Sequence, residues 1–230
     1  MTGNPGRLHA LEERFAALEA ELQASPEKEA ISLLHGMLQE LWRRVEAPAP
    51  APGGLGLEDI RNLYTRAPKM EGPAMTTPLP EGTMAPDFAL PDANGQLVRL
   101  SELRGQPVVL VFYPLDWSPG CSQQLDLYQS ELTEFERRGA RLLGISVDSI
   151  YSHGAWAAVR GLGFPLLSDF HPKGQVARQY RVYRETDGFS DRALYVVDPQ
   201  GYIRYARVSP YLHHVPPIEE LFAALDALRR

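Results

Sequence analysis

A continuous apolar run, PVVLVFY at 107–113, constrains the fold of this chain more than any other feature. Such a β-branched run is typical of a strand buried on both faces, which requires structure packed on either side of the sheet. A second such run, ARLLGISVD, begins at Ala140. Between the two, apolar residues over 118–138 recur at helical spacing, and Gly139 marks a helix end. The sequence therefore predicts two buried strands joined by a crossover helix.

Alternating signals continue to the end of the chain. Asn94-Gly95 predicts a hairpin turn before the first buried strand. Downstream we expect, in order, a helix carrying Trp156 and Val159, a strand near PLLS, a helix around 174–180, a hairpin of 194–198 with 202–208, and a closing helix in PPIEELFAALDALRR. This order predicts an α/β sandwich of the thioredoxin-like type over residues 81–230.

The N-terminal stretch, residues 1–46, predicts a helical hairpin. Its apolar residues step by three and four, as in a coiled-coil seam. The two runs are Leu8, Leu11, Phe15, Leu18, Leu22 and Ile31, Leu34, Leu38, Leu41, Val45. We expect this seam to drive self-association into a homo-oligomer; packing on the chain's own domain is the alternative. Residues 47–80 begin APAPAPGG and read as a Pro/Gly-rich linker with little fixed structure.

Composition excludes several function classes. The formal net charge is −6, which argues against nucleic-acid or anionic-membrane partners. No apolar window is long enough for a membrane-spanning helix, and the start does not resemble a secretory signal. The single cysteine, Cys121, rules out a disulfide within the chain and any multi-cysteine metal site. We therefore expect a cytoplasmic protein.

The lone cysteine falls where the first buried strand becomes a helix. Ser118 and Pro119 are a preferred N-cap and first helical residue, so Cys121 should lie in the first turn. Free N–H groups and the positive helix end stabilise a thiolate there. Cysteines in such settings have pKa values of roughly 3.5–7.5, against about 8.5 for free cysteine. The position predicts a nucleophilic sulfur; an inert buried cysteine is the alternative.

Several separated motifs resemble those of the peroxiredoxin family. Pro114-x-x-x-Ser118-x-x-Cys121 is similar to its active-site motif, and Ala85-Pro86-Asp87-Phe88 to its opening motif. Similar stretches are Ile145-Ser146-Val147-Asp148-Ser149 with the following His153 and Trp156, and Arg192 before Ala-Leu-Tyr-Val-Val-Asp. The resemblance covers roughly residues 79–230. It is nearest to the bacterioferritin-comigratory and one-cysteine alkyl hydroperoxide reductase E types.

The resemblance implies a thiol-dependent peroxidase that needs no cofactor or metal. Cys121 would attack a peroxide oxygen and become a sulfenic acid. Ser118, Arg192 and the Cys121 N–H would stabilise the charge on the two oxygens. Pro114 and Gly120 are expected to line the substrate site, with Pro114 shielding the sulfur.

The chain departs from the bacterioferritin-comigratory type at Asp126, where that type often has a second cysteine. An external thiol, either a small molecule, thioredoxin or a glutaredoxin-like protein, must then reduce the sulfenic acid.

Two other functions stay open: a peroxide sensor with little turnover, and a noncatalytic scaffold or chaperone assembled by residues 7–46. Gln124 could contact the site or only the helix surface. The adjacent His213 and His214 lack a ligand pattern, so we expect a solvated loop there rather than a metal site.

Overall fold

The computed structural model describes residues 70–229 continuously, and before them only Arg14, Ala17, Ile31, Ser32, Leu34 and His35, all helical. The predicted N-terminal hairpin otherwise lies outside the described residues. The chain divides into two compact units, Met1–Gly56 and Leu57–Arg230. Within the described part, no helix is both long and apolar enough to cross a membrane. Secondary-structure elements are numbered below from residue 70 onward.

The first buried run forms the central strand of a five-stranded mixed sheet. Strand β3 (Val108–Phe112) pairs in parallel with β4 (Arg141–Ser146) and antiparallel with β8 (Ala193–Val197). The edges are β5 (Leu166–Ser168), parallel to β4, and β9 (Ile203–Val208), antiparallel to β8. The strand order is therefore β5-β4-β3-β8-β9. All five residues of β3 are buried, as expected for a strand at the centre of the sheet.

Each face of the sheet carries its own apolar core. Val108, Leu110 and Phe112 contribute to one cluster, and Val109 and Val111 to the other, because successive side chains point to opposite faces. The helices are α1 (Pro119–Ser130), α2 (Leu132–Arg137), α3 (Ile150–Arg160), α4 (Gln175–Gln179) and α5 (Ile218–Ala227), with a 3-10 turn at Leu100–Leu103. This confirms the predicted thioredoxin-like α/β fold.

The predicted crossover helix differs in one detail. Helix α1 ends at Ser130, Glu131 has backbone angles of φ −102° and ψ 11°, and α2 starts at Leu132. The apolar periodicity continues through this break, so the sequence pattern gave no sign of it. The hairpin at Asn94-Gly95 is present as β1 (Ala89–Pro91) with β2 (Leu97–Arg99).

A small hairpin that the sequence did not predict joins β6 (Tyr183–Arg184) to β7 (Phe189–Ser190). Strands of two residues are too short to produce an alternating pattern.

The end of the predicted linker is fixed onto the domain. Ala74 donates its N–H to the Pro210 carbonyl at 2.9 Å, and Leu79 donates to the Tyr195 hydroxyl at 3.2 Å. Leu79 itself is buried in the core. The expectation of little fixed structure is therefore wrong for residues 70–80, where backbone N–H groups form hydrogen bonds with the domain. The rest of the predicted linker lies outside the described residues.

Candidate active site

Cys121 lies in the first turn of α1, as the sequence predicts. Ser118 is the N-cap residue, Pro119 and Gly120 follow, and Cys121 is third. The loop that leads from β3 into this helix places Trp117 at φ +64°, a left-handed conformation that is uncommon outside glycine. The Cys121 side chain is fully buried beside β3. The sulfur is therefore held at the carboxyl end of the central strand, near helix N–H groups that have no partner within the helix.

The Arg192 guanidinium lies directly against the sulfur. Its Nη2 is 3.4 Å from Cys121 Sγ. Arg192 comes immediately before β8, the neighbour of β3, so the sheet brings two residues distant in sequence to one edge. The arginine is 1 % exposed, so solvent screens its charge little. The structure thus brings together the two predicted catalytic residues, Cys121 and Arg192.

Two further groups hold this arginine in place. Its Nε and Nη2 donate to the Leu212 carbonyl at 3.1 and 2.8 Å. Its Nη1 donates to Gln124 Oε1, whose amide nitrogen donates to the Tyr128 hydroxyl at 3.0 Å. Gln124 is fully buried, so the site interpretation is right for it and the helix-surface alternative is wrong. Burial raises the pKa of Tyr128 to about 12, which keeps its hydroxyl neutral.

Ser118 does not cap the helix with its side chain. Its hydroxyl is buried and has no hydrogen-bond partner within the described residues. A buried polar group without a partner is costly, typically by about 1–3 kcal/mol, so one that persists at a site calls for an explanation. Ser118 also lines a small recess beside Arg192.

That recess is lined by Met70, Ser118, Gly120, Arg192, Leu212 and His213. The cavity volume of the recess is about 10 Å³, which is close to the space that one water molecule requires. A Cβ on Gly120 would lie 3.0 Å from Arg192 Nη2, so the glycine lets the guanidinium approach the helix. Pro114 is buried at the end of β3 but does not line the recess.

The histidine pair lies near this site, which the sequence did not predict. His213 is exposed, stacks on the Tyr211 ring and contributes to the recess. His214 is exposed as well. In the part of the chain that the structure describes, no cluster of three or more His, Cys, Asp or Glu side chains could hold a metal ion.

A buried polar cluster supports the loop before Cys121. Asp116 accepts hydrogen bonds from the Tyr113 hydroxyl at 2.9 Å and the Ser152 hydroxyl at 2.7 Å, and lies 2.9 Å from His153 Nδ1. Its N–H donates to Asp148 at 2.9 Å. Burial and the neighbouring Asp116 raise the pKa of Asp148, and they raise that of Tyr113 well above its usual range. His153 thus belongs to a network that fixes the loop.

Comparison with known proteins agrees with this geometry. The AhpC/TSA family model matches residues 82–206, more than half of the chain. The chain belongs to the peroxiredoxin family. Alkyl hydroperoxide reductase E of Mycobacterium tuberculosis is 44% identical over 128 residues, covering 55% of this chain and 84% of that protein. Chloroplastic peroxiredoxin Q of Triticum aestivum is 33% identical over 168 residues, covering 70% of this chain and 76% of that protein.

Solved structures agree as well. The crystal structure of peroxidoxin BcpB from Mycobacterium tuberculosis has a TM-score of 0.59 and 32% identity, covering 65% of this chain and 98% of that one. Peroxiredoxin Q of Xanthomonas campestris has a TM-score of 0.57 and 28% identity, covering 66% and 98%. This peroxiredoxin is a thiol-dependent peroxidase, and its single cysteine fits a one-cysteine mechanism.

Proposed function

We propose that Cys121 is the peroxidatic nucleophile and that Arg192 and Ser118 are the donors that stabilise its transition state. The observation that carries this proposal is the 3.4 Å approach of Arg192 Nη2 to Cys121 Sγ at a fully buried helix start. A cation at that distance stabilises negative charge on the sulfur and on a peroxide oxygen that the sulfur attacks.

The first half-reaction transfers one oxygen. The thiolate attacks the nearer peroxide oxygen, the O–O bond breaks, and the S–O bond forms. Cysteine is oxidised to sulfenic acid, and the leaving alkoxide or hydroxide takes a proton to become an alcohol or water. Negative charge spreads over both oxygens during attack, so fixed donors act most strongly in the transition state.

Ser118 supports this assignment through its buried hydroxyl without a partner. A peroxide in the recess would supply the acceptor that the hydroxyl lacks. Gly120 would contribute by leaving room for both the substrate and the guanidinium, since it lines the recess beside Arg192. For Pro114 we propose an indirect role: it is buried where β3 ends and helps exclude water from the sulfur's side of the site.

The second half-reaction needs an external thiol, because the sequence holds no other cysteine. A thiol attacks the sulfenic sulfur, releases water and forms a mixed disulfide. A second thiol then cleaves that disulfide, releasing a disulfide product and restoring Cys121. A small thiol, thioredoxin or a glutaredoxin-like protein can supply these electrons. We propose the cytoplasm as the compartment, since it maintains reduced thiols.

Three variants test the assignment. Cys121→Ser should abolish peroxide consumption. Ser118→Ala should slow Cys121 oxidation by about 100-fold, as expected for a lost transition-state donor, while Ser118→Thr should keep most activity. Ser122→Ala is the matched control, because Ser122 also has a buried hydroxyl without a partner but does not line the recess.

Stopped-flow oxidation by hydrogen peroxide and by an organic hydroperoxide provides the rates, and recycling by each candidate thiol identifies the reductant. Peroxide consumption by Cys121→Ser at the rate of the unmodified protein would contradict the role of the cysteine. If Ser118→Ala and Ser122→Ala slow the oxidation of Cys121 equally, the proposed role of Ser118 is wrong, while the role of Cys121 is unaffected.

A further inference from the structure

A segment outside the stretch matched by the family model contributes to the active site. Residues 70–76, here called the strap, precede that stretch, and residues 209–213, here called the clamp loop, follow it. Met70 at the start of the strap and Leu212 and His213 of the clamp loop line the recess beside Ser118 and Arg192. The recess is therefore completed by residues from both sides of the matched stretch.

The strap is paired with the clamp loop through the backbone. Ala74 N–H donates to the Pro210 carbonyl at 2.9 Å, and Leu212 N–H donates to the Gly72 carbonyl at 3.1 Å. Pro73 and Tyr211 face each other between these bonds in an antiparallel bridge. The two segments thus form a short two-stranded ribbon, and the ribbon fixes the position of Leu212.

The strap is also fastened to the domain beneath it. Asp191 Oδ2 accepts from Met75 N–H at 2.9 Å and from the Thr76 hydroxyl at 2.7 Å. Arg184 Nη1 donates to the Pro73 carbonyl at 2.9 Å and to Asp191 Oδ1 at 2.8 Å. Asp191 and Arg184 are both buried, so these anchors are protected from solvent. Asp191 is the residue directly before Arg192.

The position of the Arg192 guanidinium depends on the Leu212 carbonyl, which the ribbon holds in place. The Leu212 carbonyl accepts from both Nε and Nη2, and Nη2 is the same nitrogen that approaches the sulfur. A loop that no hydrogen bonds restrain is mobile, so a guanidinium bound to its carbonyl would move with it. Reacting groups displaced by about 1 Å can lose on the order of 100-fold in rate.

We propose that the strap is a positioning element of the peroxidase, which acts by holding the Leu212 carbonyl so that Arg192 faces Cys121. This inference rests on the role proposed for Arg192. It makes residues 70–76 part of the catalytic unit rather than part of a spacer. It also predicts that substitutions far from the sulfur, on the strap, slow the reaction with peroxide.

Gly72 offers a test that touches no catalytic atom. Its φ of +133° is a conformation that side-chain-bearing residues rarely adopt, and space for a Cβ exists because the nearest atoms are 3.8 and 4.0 Å away. Gly72→Ala therefore strains the strap without filling the recess. Gly105→Ala is the matched control, since Gly105 has φ +93° with nothing near its Cβ position. Thr76→Val, with exposed Thr77→Val as its control, is a second and milder variant.

The measurements are the second-order rate of Cys121 oxidation by hydrogen peroxide, the rate of its alkylation by iodoacetamide, and the thermal midpoint. Gly72→Ala should lower the peroxide rate about 10-fold and Thr76→Val about 3-fold, relative to their controls, with smaller changes in alkylation. In an Arg192→Ala background the effect of Gly72→Ala should fall below 2-fold, because the group that it positions is gone.

Three results would overturn the inference: both strap variants within 2-fold of their controls, full additivity in the double variant, or equal losses in the peroxide and alkylation rates. If Arg192→Ala itself reacts slowly with peroxide, either of the first two results rejects the role of the strap and leaves the proposed function unchanged. A normal peroxide rate in Arg192→Ala would instead remove the proposed role of Arg192, and the strap inference with it.

Discussion

Replacing Arg192 with alanine should slow oxidation of Cys121 by about 100- to 1,000-fold. Nη2 lies 3.4 Å from Sγ, where two unit charges attract by about 5 kcal/mol at an effective dielectric constant of about 20. Desolvation of the buried charges offsets part of this attraction. In the transition state this charge spreads onto the peroxide oxygens, and the loss of one such donor costs an enzyme roughly 3–4 kcal/mol, which corresponds to the predicted rate loss.

The same substitution should also reduce stability. Without the guanidinium, the Leu212 carbonyl and the Gln124 side-chain oxygen each lose a buried donor, at a cost of about 1–3 kcal/mol per group. Arg192→Lys keeps the positive charge but loses the planar fork that contacts both groups, so we expect an intermediate loss of about 10-fold. Arg141→Ala, at an exposed position, is the control.

Single-turnover stopped flow suits this measurement, because Trp117 and Trp156 belong to the apolar cluster around Cys121 and their fluorescence should report its oxidation. The rate should be linear in peroxide concentration, and its slope gives the second-order constant. Thermal unfolding in parallel sets a temperature at which every variant is folded. If folded Arg192→Ala reacts within 3-fold of the unmodified protein, the electrostatic argument is wrong.

Three other predictions concern the helix start, acid stability and assembly. Gly120→Ala places a Cβ 3.0 Å from Arg192 Nη2, so the guanidinium must shift, and we expect a peroxide rate about 10-fold lower by stopped flow at a nearly unchanged thermal midpoint; an unchanged rate would show that the shift is harmless. Burial raises the pKa of Asp198, but hydrogen bonds from Tyr202 N–H and Arg204 outweigh this and lower it below its usual range. The folded carboxyl thus binds its proton less tightly than the unfolded one, so its stabilisation is present above about pH 4 and is lost as pH falls through the folded pKa. Asp198→Asn should therefore cost about 1–2 kcal/mol in denaturant titrations at neutral pH and progressively less as the pH falls through the folded pKa, and a cost that does not change with pH would refute the linkage. Deleting residues 1–46 should lower the oligomeric mass in light scattering, and an unchanged mass would reject the predicted hairpin as the assembly element.

Local patterns were sufficient for most of the domain. The strand at 107–113, the helix start at Ser118-Pro119 and the turn at Asn94-Gly95 each depend on neighbouring residues, so sequence alone placed them within a residue or two. The break at Glu131 and the two-residue strands β6 and β7 carry no such local signal. For the site, helix position indicated Cys121, and the family resemblance indicated Ser118 and Arg192.

The sequence left two interpretations of Gln124 open, contact with the site or a position on the helix surface, because helical spacing cannot distinguish a buried polar face from a solvated one. The cluster of Asp116, Tyr113 and His153 was missed for a related reason: its members come from the end of one strand and from a distant helix. Their proximity depends on how α3 packs against the sheet, which is a long-range property of the chain.

The sequence by itself determined that this chain forms an α/β sheet domain with its one cysteine at a helix start, because strand burial and helix starts are encoded over a few adjacent residues. Tertiary structure alone decided how Arg192 is held, since the Leu212 carbonyl, Gln124 and the strap at 70–76 come from separate parts of the chain. Hydrogen bonds between such distant segments have no sequence period, and only the folded sheet brings their donors and acceptors within reach.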